Sequence, residues 1–416
     1  MYKEKLKILF DSLPFRLKMV IYSIYRFVIV KKAYKSPDHF PLNYINKLSL
    51  AIFGISSDIG FFYRLYQEKR PSEYLLPENL YEHKYEIIYA ERKNGGSTIN
   101  NHLVDSIVPI CVESPNSNLI IKNTNTDTES TLQNLPEQRF HYFKVKKDES
   151  YNFSSDSKEG YLIGEPIALK QRNKHKKKLI LCLFLDGLAD YSQIPHLDEK
   201  DLMPHTSRFF SNGVKFRNHY SNAEWTLPSV PSFFSGGRQQ LHGFYDPKAD
   251  HVLGDNYKIL SEIFQEEEYL TFQSSGNWRA SPAYGYTKGF DRTIYKKELT
   301  VNEVIQTFFE HMRTFKERDN FIWLTLMDTH HLINVIPDIS NQAINSIPGH
   351  RVTPWHDDNN KKKSVFTSAN DDLTEIYINE IKRVDYYLKA VYDFVESNYG
   401  NEEIIVTLVS DHGQGF

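Results

Sequence analysis

Two cysteines in 416 residues, Cys111 and Cys182, are too few for a disulfide framework or a thiolate metal site, and Cys182 sits inside an apolar, strand-like run. That usage fits a reducing compartment, so a cytoplasmic location is expected. The chain also lacks any charge-free apolar run near the roughly 20 residues that a membrane-spanning helix needs. Its greasiest stretch, Phe15 to Val30, is interrupted by Arg16, Lys18 and Arg26, and no small-residue cleavage site follows. This stretch reads as an amphipathic helix that packs on the protein, with peripheral membrane contact through residues 15–30 as the second reading. Nor is there an excess of one charge. The 50 basic and 53 acidic residues leave a net charge of −3, which supplies no field to draw nucleic acid. Hydrophobic residues at 40% and charged ones at 25% are ordinary for a globular chain and argue against disorder.

What is present falls into zones. Residues 1–75 read as an N-terminal helical segment. Over 76–169, short apolar runs such as Tyr85–Ala90, Ser106–Val112 and Asn118–Lys122 are separated by Asn, Gly, Ser and Asp clusters, the pattern of a small β-rich accessory domain. Lys170–Lys178 is a basic linker. From residue 179 to 416 strand and helix patterns alternate, which predicts an α/β domain with a mostly parallel sheet flanked by helices. Leu179–Leu185, Phe321–Met327 and Ile404–Val409 are apolar enough for strands buried on both faces. Leu373–Tyr399 has helical periodicity, and the polar region Asn334–Asp371 reads as a surface insertion of the kind that shapes substrate sites.

Each of the three apolar strands ends in acidic or imidazole chemistry: Asp186, then Asp328 with His330 and His331, then Asp411 with His412. In open α/β sheets the carboxyl ends of the strands line the functional crevice. Carboxylate oxygen and imidazole nitrogen together suit a divalent ion of the zinc or manganese type, and Asp186, Asp411 and His412 would leave a coordination position open. A hydroxyl in that position would become a usable nucleophile. The stretch Trp225-Thr-Leu-Pro-Ser-Val-Pro-Ser232 offers three, on Thr226, Ser229 and Ser232. Arg238 and Arg279 are candidate anion clamps.

In their order along the chain, Asp186-Gly187, Met203–Phe216, Thr226–Ser229 with Ser235-Gly236, His242-Gly243, Gly285–Asp291, Asp328–His331, Val384-Asp385 and Ser410-Asp-His-Gly413 resemble the alkaline phosphatase superfamily in its sulfatase-like branch. The resemblance implies an alkaline-phosphatase-like fold for residues 179–416, preceded by the smaller β-rich domain. It implies that Thr226 is the nucleophile and that Asp186, Thr226, Asp411 and His412 hold one divalent ion, zinc or manganese, with a second metal as the alternative. His330 would act on the transferring group or the leaving oxygen, and His242, His331, Arg238, Arg279 and Asp328 are the substrate-binding candidates. Sulfatases carry a formylglycine made from Cys or Ser within Cys-x-Pro-x-Arg, whereas this chain has Thr226 and Val230 at those places. It is therefore similar to the threonine-nucleophile phosphoethanolamine and glycerol-phosphate transferases. Family members continue beyond Ser-Asp-His-Gly, so the C-terminal part of the catalytic domain is expected to be missing from a chain that stops at Phe416.

The expected function is transfer of a phosphoryl-linked group, through a covalent phosphothreonine, onto the hydroxyl of a capsule or cell-surface glycan. The partners would be a phosphodiester or nucleotide-activated donor and a glycan acceptor, with no nucleic acid. The alternatives are a phosphodiesterase or sulfuric ester hydrolase that hands the intermediate to water, and a catalytically incomplete binding module.

Overall fold

The computed structural model describes residues 85–413, apart from 331–370 and short breaks at 89, 102–103, 113–116, 136–139, 159, 171–176, 195, 245–252, 254–257, 281–284 and 297–298. The helix expected at residues 15–30, most of the expected linker and insertion, and His331 lie outside these residues.

Fifteen strands are defined: β1 (Tyr85–Ile88), β2 (Ala90–Lys93), β3 (Ser97–Asn101), β4 (Ser106–Val112), β5 (Leu119–Asn123), β6 (Thr128–Leu132), β7 (Phe140–Val145), β8 (Glu149–Ser155), β9 (Tyr161–Gly164), β10 (Ile167–Ala168), β11 (Leu179–Leu185), β12 (Leu270–Ser275), β13 (Arg292–Tyr295), β14 (Asn320–Leu326) and β15 (Ile404–Val409). A six-stranded sheet runs in the order β1-β13-β12-β14-β11-β15. Every pairing in it is parallel except β1 with β13. The β-rich region therefore gives its first described strand to the edge of the large sheet. Its other strands form a five-stranded sheet (β10-β4-β9-β2, with β7 on β4) and a four-stranded one (β3-β8-β5-β6). Val108, Ile110, Val145 and Tyr161 of the first share a core with Leu119 and Phe153 of the second. Glu86 of β1 accepts from both Tyr142 of β7 and Arg292 of β13, which ties the accessory sheets to the large one through partly buried polar groups.

The helices are α1 (Glu199–Leu202), α2 (Pro204–Phe209), α3 (Thr226–Ser235), α4 (Gln239–His242), α5 (Leu260–Glu266), α6 (Val301–Phe315) and α7 (Asp371–Asn398). Side chains alternate across a strand, so β11 serves two cores. Leu179, Leu181, Leu183 and Leu185 face a cluster with Val304, Phe308 and Met312 of α6 and Ile381, Val384, Leu388 and Val391 of α7. Ile180 and Phe184 face the other, with Leu227, Val230 and Phe234 of α3. This two-sided burial is why β11 and β14 read as strands from sequence; β15, expected to be buried on both faces as well, is an edge strand with Ile405 and Thr407 exposed. β12 did not read as one, because four of the six residues in its Leu-Thr-Phe-Gln-Ser-Ser are polar, yet all six are buried. Its polar groups are paired instead of solvated: Thr271 with Asp291, Gln273 with Thr293, and Ser274 with Thr307 of α6. Among the described residues no helix is long and apolar enough to cross a membrane.

Two polar devices fix the helices. No side chain of its own caps α2, whose first residue is Pro204. Asp385 of α7 does this from across the core, accepting from the backbone N–H groups of His205 (2.9 Å) and Thr206 (2.8 Å) and from the Thr206 hydroxyl (2.6 Å). On α6, His311 is buried and stacked on Phe272 of β12, with ring centroids 4.3 Å apart. The Asn320 amide donates to two carbonyls, so its oxygen accepts from His311 Nε2 at 3.1 Å. His311 Nδ1 is buried with no hydrogen bond. A second proton would have nowhere to bond, and burial together with the Arg292 charge pushes this imidazole down to about 3.

The unfolded chain protonates His311 near 6.5, so this residue's contribution is complete above that pH and is lost as pH falls toward 3. The loss is about 1.4 kcal/mol per pH unit in that window. Urea unfolding midpoints from pH 7 to pH 4 should fall more steeply for wild type than for His311→Gln; parallel slopes would refute the assignment.

Candidate active site

The parallel register of β14, β11 and β15 brings their carboxyl ends together. Asp186 follows β11, and its backbone N–H bonds to the Leu326 carbonyl at 2.9 Å, extending the ladder by one residue. Gly187 then turns the chain with φ of 75°, a conformation that costs glycine little. Thr329, after β14, donates its hydroxyl to the Asp186 carbonyl at 2.6 Å, locking two strand ends to each other. Asp411, after β15, accepts from the backbone N–H groups of Gly187 (3.2 Å) and His412 (3.0 Å) through Oδ1, which joins the third.

Asp186 and Asp411 are fully buried. His412 Nδ1 lies 2.6 Å from the Gly413 carbonyl, an acceptor only, so Nδ1 carries a proton and Nε2 is the ring nitrogen that faces the cluster. That Nε2 is 3.4 Å from Asp186 Oδ1, 3.4 Å from Asp411 Oδ2 and 3.2 Å from the Thr226 hydroxyl. The Thr226 hydroxyl lies 3.4 Å from Asp186 Oδ1. His330 Nε2 approaches the same carboxylate oxygen at 4.0 Å, and its ring stands nearly perpendicular to that of His412. Ligand atoms of Asp186, His330 and His412 all fall within 4.8 Å of one another.

The cluster is short of positive charge. Burial, with the neighbouring Asp186 charge, pushes the Asp411 carboxyl up to about 7. Burial works against a charge on His412, but its bond to Asp186 and the charges of Asp411 and Asp186 outweigh that and raise it to about 9. Asp411 Oδ2 is buried without a hydrogen bond. Two crowded carboxylates, two imidazoles, a hydroxyl and an unsatisfied buried oxygen are a donor set that fits a divalent cation of the zinc or manganese type. Asp186, Thr226, Asp411 and His412 are where sequence placed the ligands; the structure adds His330 to the group.

Thr226 is the first residue of α3, fully buried, and the preceding Trp225 offers no side-chain cap. The positive end of the helix dipole is thus directed at the hydroxyl's surroundings. The other two hydroxyls are structural. Ser229 donates to the Trp225 carbonyl at 2.9 Å, an i−4 back-bond, and Ser232 pairs with His242 Nε2 at 3.1 Å. His242 uses both ring nitrogens internally, since Nδ1 accepts from the Phe244 N–H at 3.1 Å. Both ring nitrogens of this buried histidine thus brace α3 and the turn after α4.

The remaining candidates divide. Arg279 lies 5.7 Å over the Trp225 ring, next to the nucleophile candidate, in a turn at Trp278–Ala280. Arg238 is exposed at the N-cap of α4, away from any described ion pair. Asp328 is fully buried but engaged by Arg383 of α7, which also grips Glu380 at 2.6 Å. The carboxylate expected to contact substrate is thus engaged in an ion pair inside the protein. One site residue escaped notice. Asn277, buried beyond β12, donates to Asp186 Oδ2 and accepts from the Arg279 N–H at 2.8 Å, so it orients the carboxylate and holds the arginine's turn. Recognising β12 as a fourth strand end would have flagged it.

Comparisons with known proteins can now be set beside this geometry. No curated protein matches the chain. Among solved structures, BT4656, in complex with its substrate D-glucosamine-2-N,6-O-disulfate, is 11% identical with a TM-score of 0.40, covering 57% of this chain and 66% of its own. The lipoteichoic acid synthase LtaP from Listeria monocytogenes is 11% identical, with a TM-score of 0.36 and 57% coverage of each chain. Murine ectonucleotide pyrophosphatase/phosphodiesterase 5 is 15% identical, with a TM-score of 0.34 and 57% coverage of each. The chain thus spans less than two thirds of each of these structures. The family model described as Sulfatase matches residues 180–416, from β11 through the Asp411-His412 turn and over more than half of the sequence, and the chain belongs to the sulfatase family.

Proposed function

We propose that this protein is a metal-dependent enzyme that moves a phosphoryl-linked group through a covalent intermediate on Thr226 to the hydroxyl of a glycan. One observation carries the reading: the Thr226 hydroxyl, at a helix N-terminus, lies 3.2 Å from His412 Nε2 and 3.4 Å from Asp186 Oδ1. Asp186, Asp411, His412 and Thr226, with His330 beside them, would hold one divalent ion. When bound, that ion supplies a lower hydroxyl pKa and neutralises charge on the phosphoryl oxygens.

The chain's own groups supply the rest. Thr226 Oγ1, its proton released to solvent, attacks phosphorus in line; its bond to phosphorus forms as the bond to the leaving oxygen breaks, giving a threonyl phosphodiester. The N-terminus of α3 and the Arg279 guanidinium offer positive potential to the anionic group. His330 gives its proton to the departing oxygen and takes one from the acceptor hydroxyl in the second half. The acceptor oxygen then displaces Oγ1, and Thr226 is regenerated. A threonine cannot be converted to formylglycine, which supports a phosphodiester donor, nucleotide-linked or otherwise, over a sulfate ester. Membership of the sulfatase family favours a second reading at the same site, in which water replaces the acceptor and the enzyme is a phosphodiesterase.

Intact-mass measurement after incubation with a panel of phosphodiester donors should show a donor-dependent increase on wild type and none on Thr226→Ala. Turnover should fall on the order of 10³-fold or more in that variant. An equally labelled Thr226→Ala protein would show that the nucleophile lies elsewhere. Zinc or manganese content of the purified chain should be about one ion per molecule, lost on chelation or in His412→Ala together with the mass increase. Full labelling of chelated protein would remove the metal from the reaction.

A further inference from the structure

Helix α7 reaches the cluster through two side chains that touch no candidate ligand. Tyr377 is buried on it, and its hydroxyl donates to the Gly187 carbonyl at 2.8 Å while accepting from the Ala189 N–H at 2.7 Å. Those two backbone groups flank the turn immediately after Asp186. Six residues along, Arg383 engages Asp328, the residue between the end of β14 and the Thr329-His330 pair. Thr329 in turn holds the Asp186 carbonyl. One helix therefore grips the strand ends that carry Asp186 and His330, while Asp411 is held through the N–H of Gly187.

The placement is costly in any other role. Asp328 Oδ2 and Arg383 Nη1 are buried without hydrogen bonds, and Glu380 beside them is pushed up to about 6, by burial first and by the Asp328 charge. A pair held only for stability would be replaceable by apolar side chains without loss. We infer that Tyr377 and Arg383 are positioning residues, which set the spacing of Asp186 and His330 so that the cluster binds its ion tightly. This rests on the metal-dependent reading above. The physical basis is that groups orienting ligands tune a metal site almost as strongly as the ligands do.

The same helix supplies a control. Asp385, two residues past Arg383, caps α2 and has no contact with either strand end. Its described side-chain hydrogen bonds all go to α2, so its loss should weaken the fold and leave the cluster's geometry alone.

The test is titration of chelator-stripped full-length protein with zinc or manganese alone, at a temperature where circular dichroism shows each variant folded. Tyr377→Phe, which removes one oxygen, should weaken metal binding about 10- to 100-fold. Arg383→Gln should do the same, and Arg383→Lys should recover part of the loss by keeping the charge. Asp385→Ala should lower the unfolding midpoint but bind metal like wild type. If Arg383→Gln does not fold, Tyr377→Phe decides alone. Wild-type affinity in folded Tyr377→Phe, or an equal loss in Asp385→Ala, would overturn the assignment. Failure of the wild-type protein to bind either metal would instead refute the proposed function beneath it.

Discussion

The arrangement of this molecule turns on the crowding of two fully buried carboxylates, Asp186 and Asp411, with the largely buried His412. His412 Nε2 is 3.4 Å from an oxygen of each carboxylate. Two unit charges at that separation interact by about 5 kcal/mol at an effective dielectric of about 20. That is comparable with the whole stability of many domains, roughly 5–15 kcal/mol. A positive charge on His412 offsets the two carboxylates, which is why its pKa is raised despite burial.

The fold can be understood as the scaffold that makes this crowding affordable. Parallel strands put three carboxyl ends at one edge, and short polar links between them remove the freedom to splay apart. Asp186 N–H bonds to Leu326 and Thr329 to Asp186, which join the ends of β11 and β14 twice, and Gly187 bonds to Asp411, which joins β11 to β15. On one face α7 bears on these turns through Tyr377. On the other, α3 delivers Thr226 with its hydroxyl already within hydrogen-bonding range of His412. The long helix is tied to the sheet by the apolar cluster of Ile381, Val384, Leu388 and Val391, so packing far from the site controls its geometry.

Much of this was legible in the sequence because it rests on unbroken patterns. β11 and β14 are buried on both faces and read as apolar runs, and α7 was expected at Leu373–Tyr399 against the observed Asp371–Asn398. Asp186, Asp411 and His412 announced themselves by ending such runs. What sequence could not supply was partner identity. β12 hid behind paired Thr, Gln and Ser side chains, and with it Asn277. Asp328 looked like a site residue by position, but a guanidinium 55 residues later engages it. His242 was ambiguous because a histidine that braces a helix and one that faces substrate look alike until both ring nitrogens have been traced.

Magnitudes also decide what activates Thr226. A helix N-terminus contributes at most about 2 kcal/mol to an adjacent anion. At 1.36 kcal/mol per unit, that lowers a hydroxyl pKa by less than about two units, far short of producing alkoxide near neutrality. A divalent cation takes water from 15.7 to about 7, a change of about nine units and about 12 kcal/mol. The dipole of α3 therefore cannot make Thr226 a nucleophile; it can only aim the hydroxyl and favour the anionic group it meets. In the proposed reaction that acidity would come from the ion that Asp186, Asp411 and His412 would hold. A buried hydroxyl lying 3.2 Å from His412 Nε2 is in position to receive it.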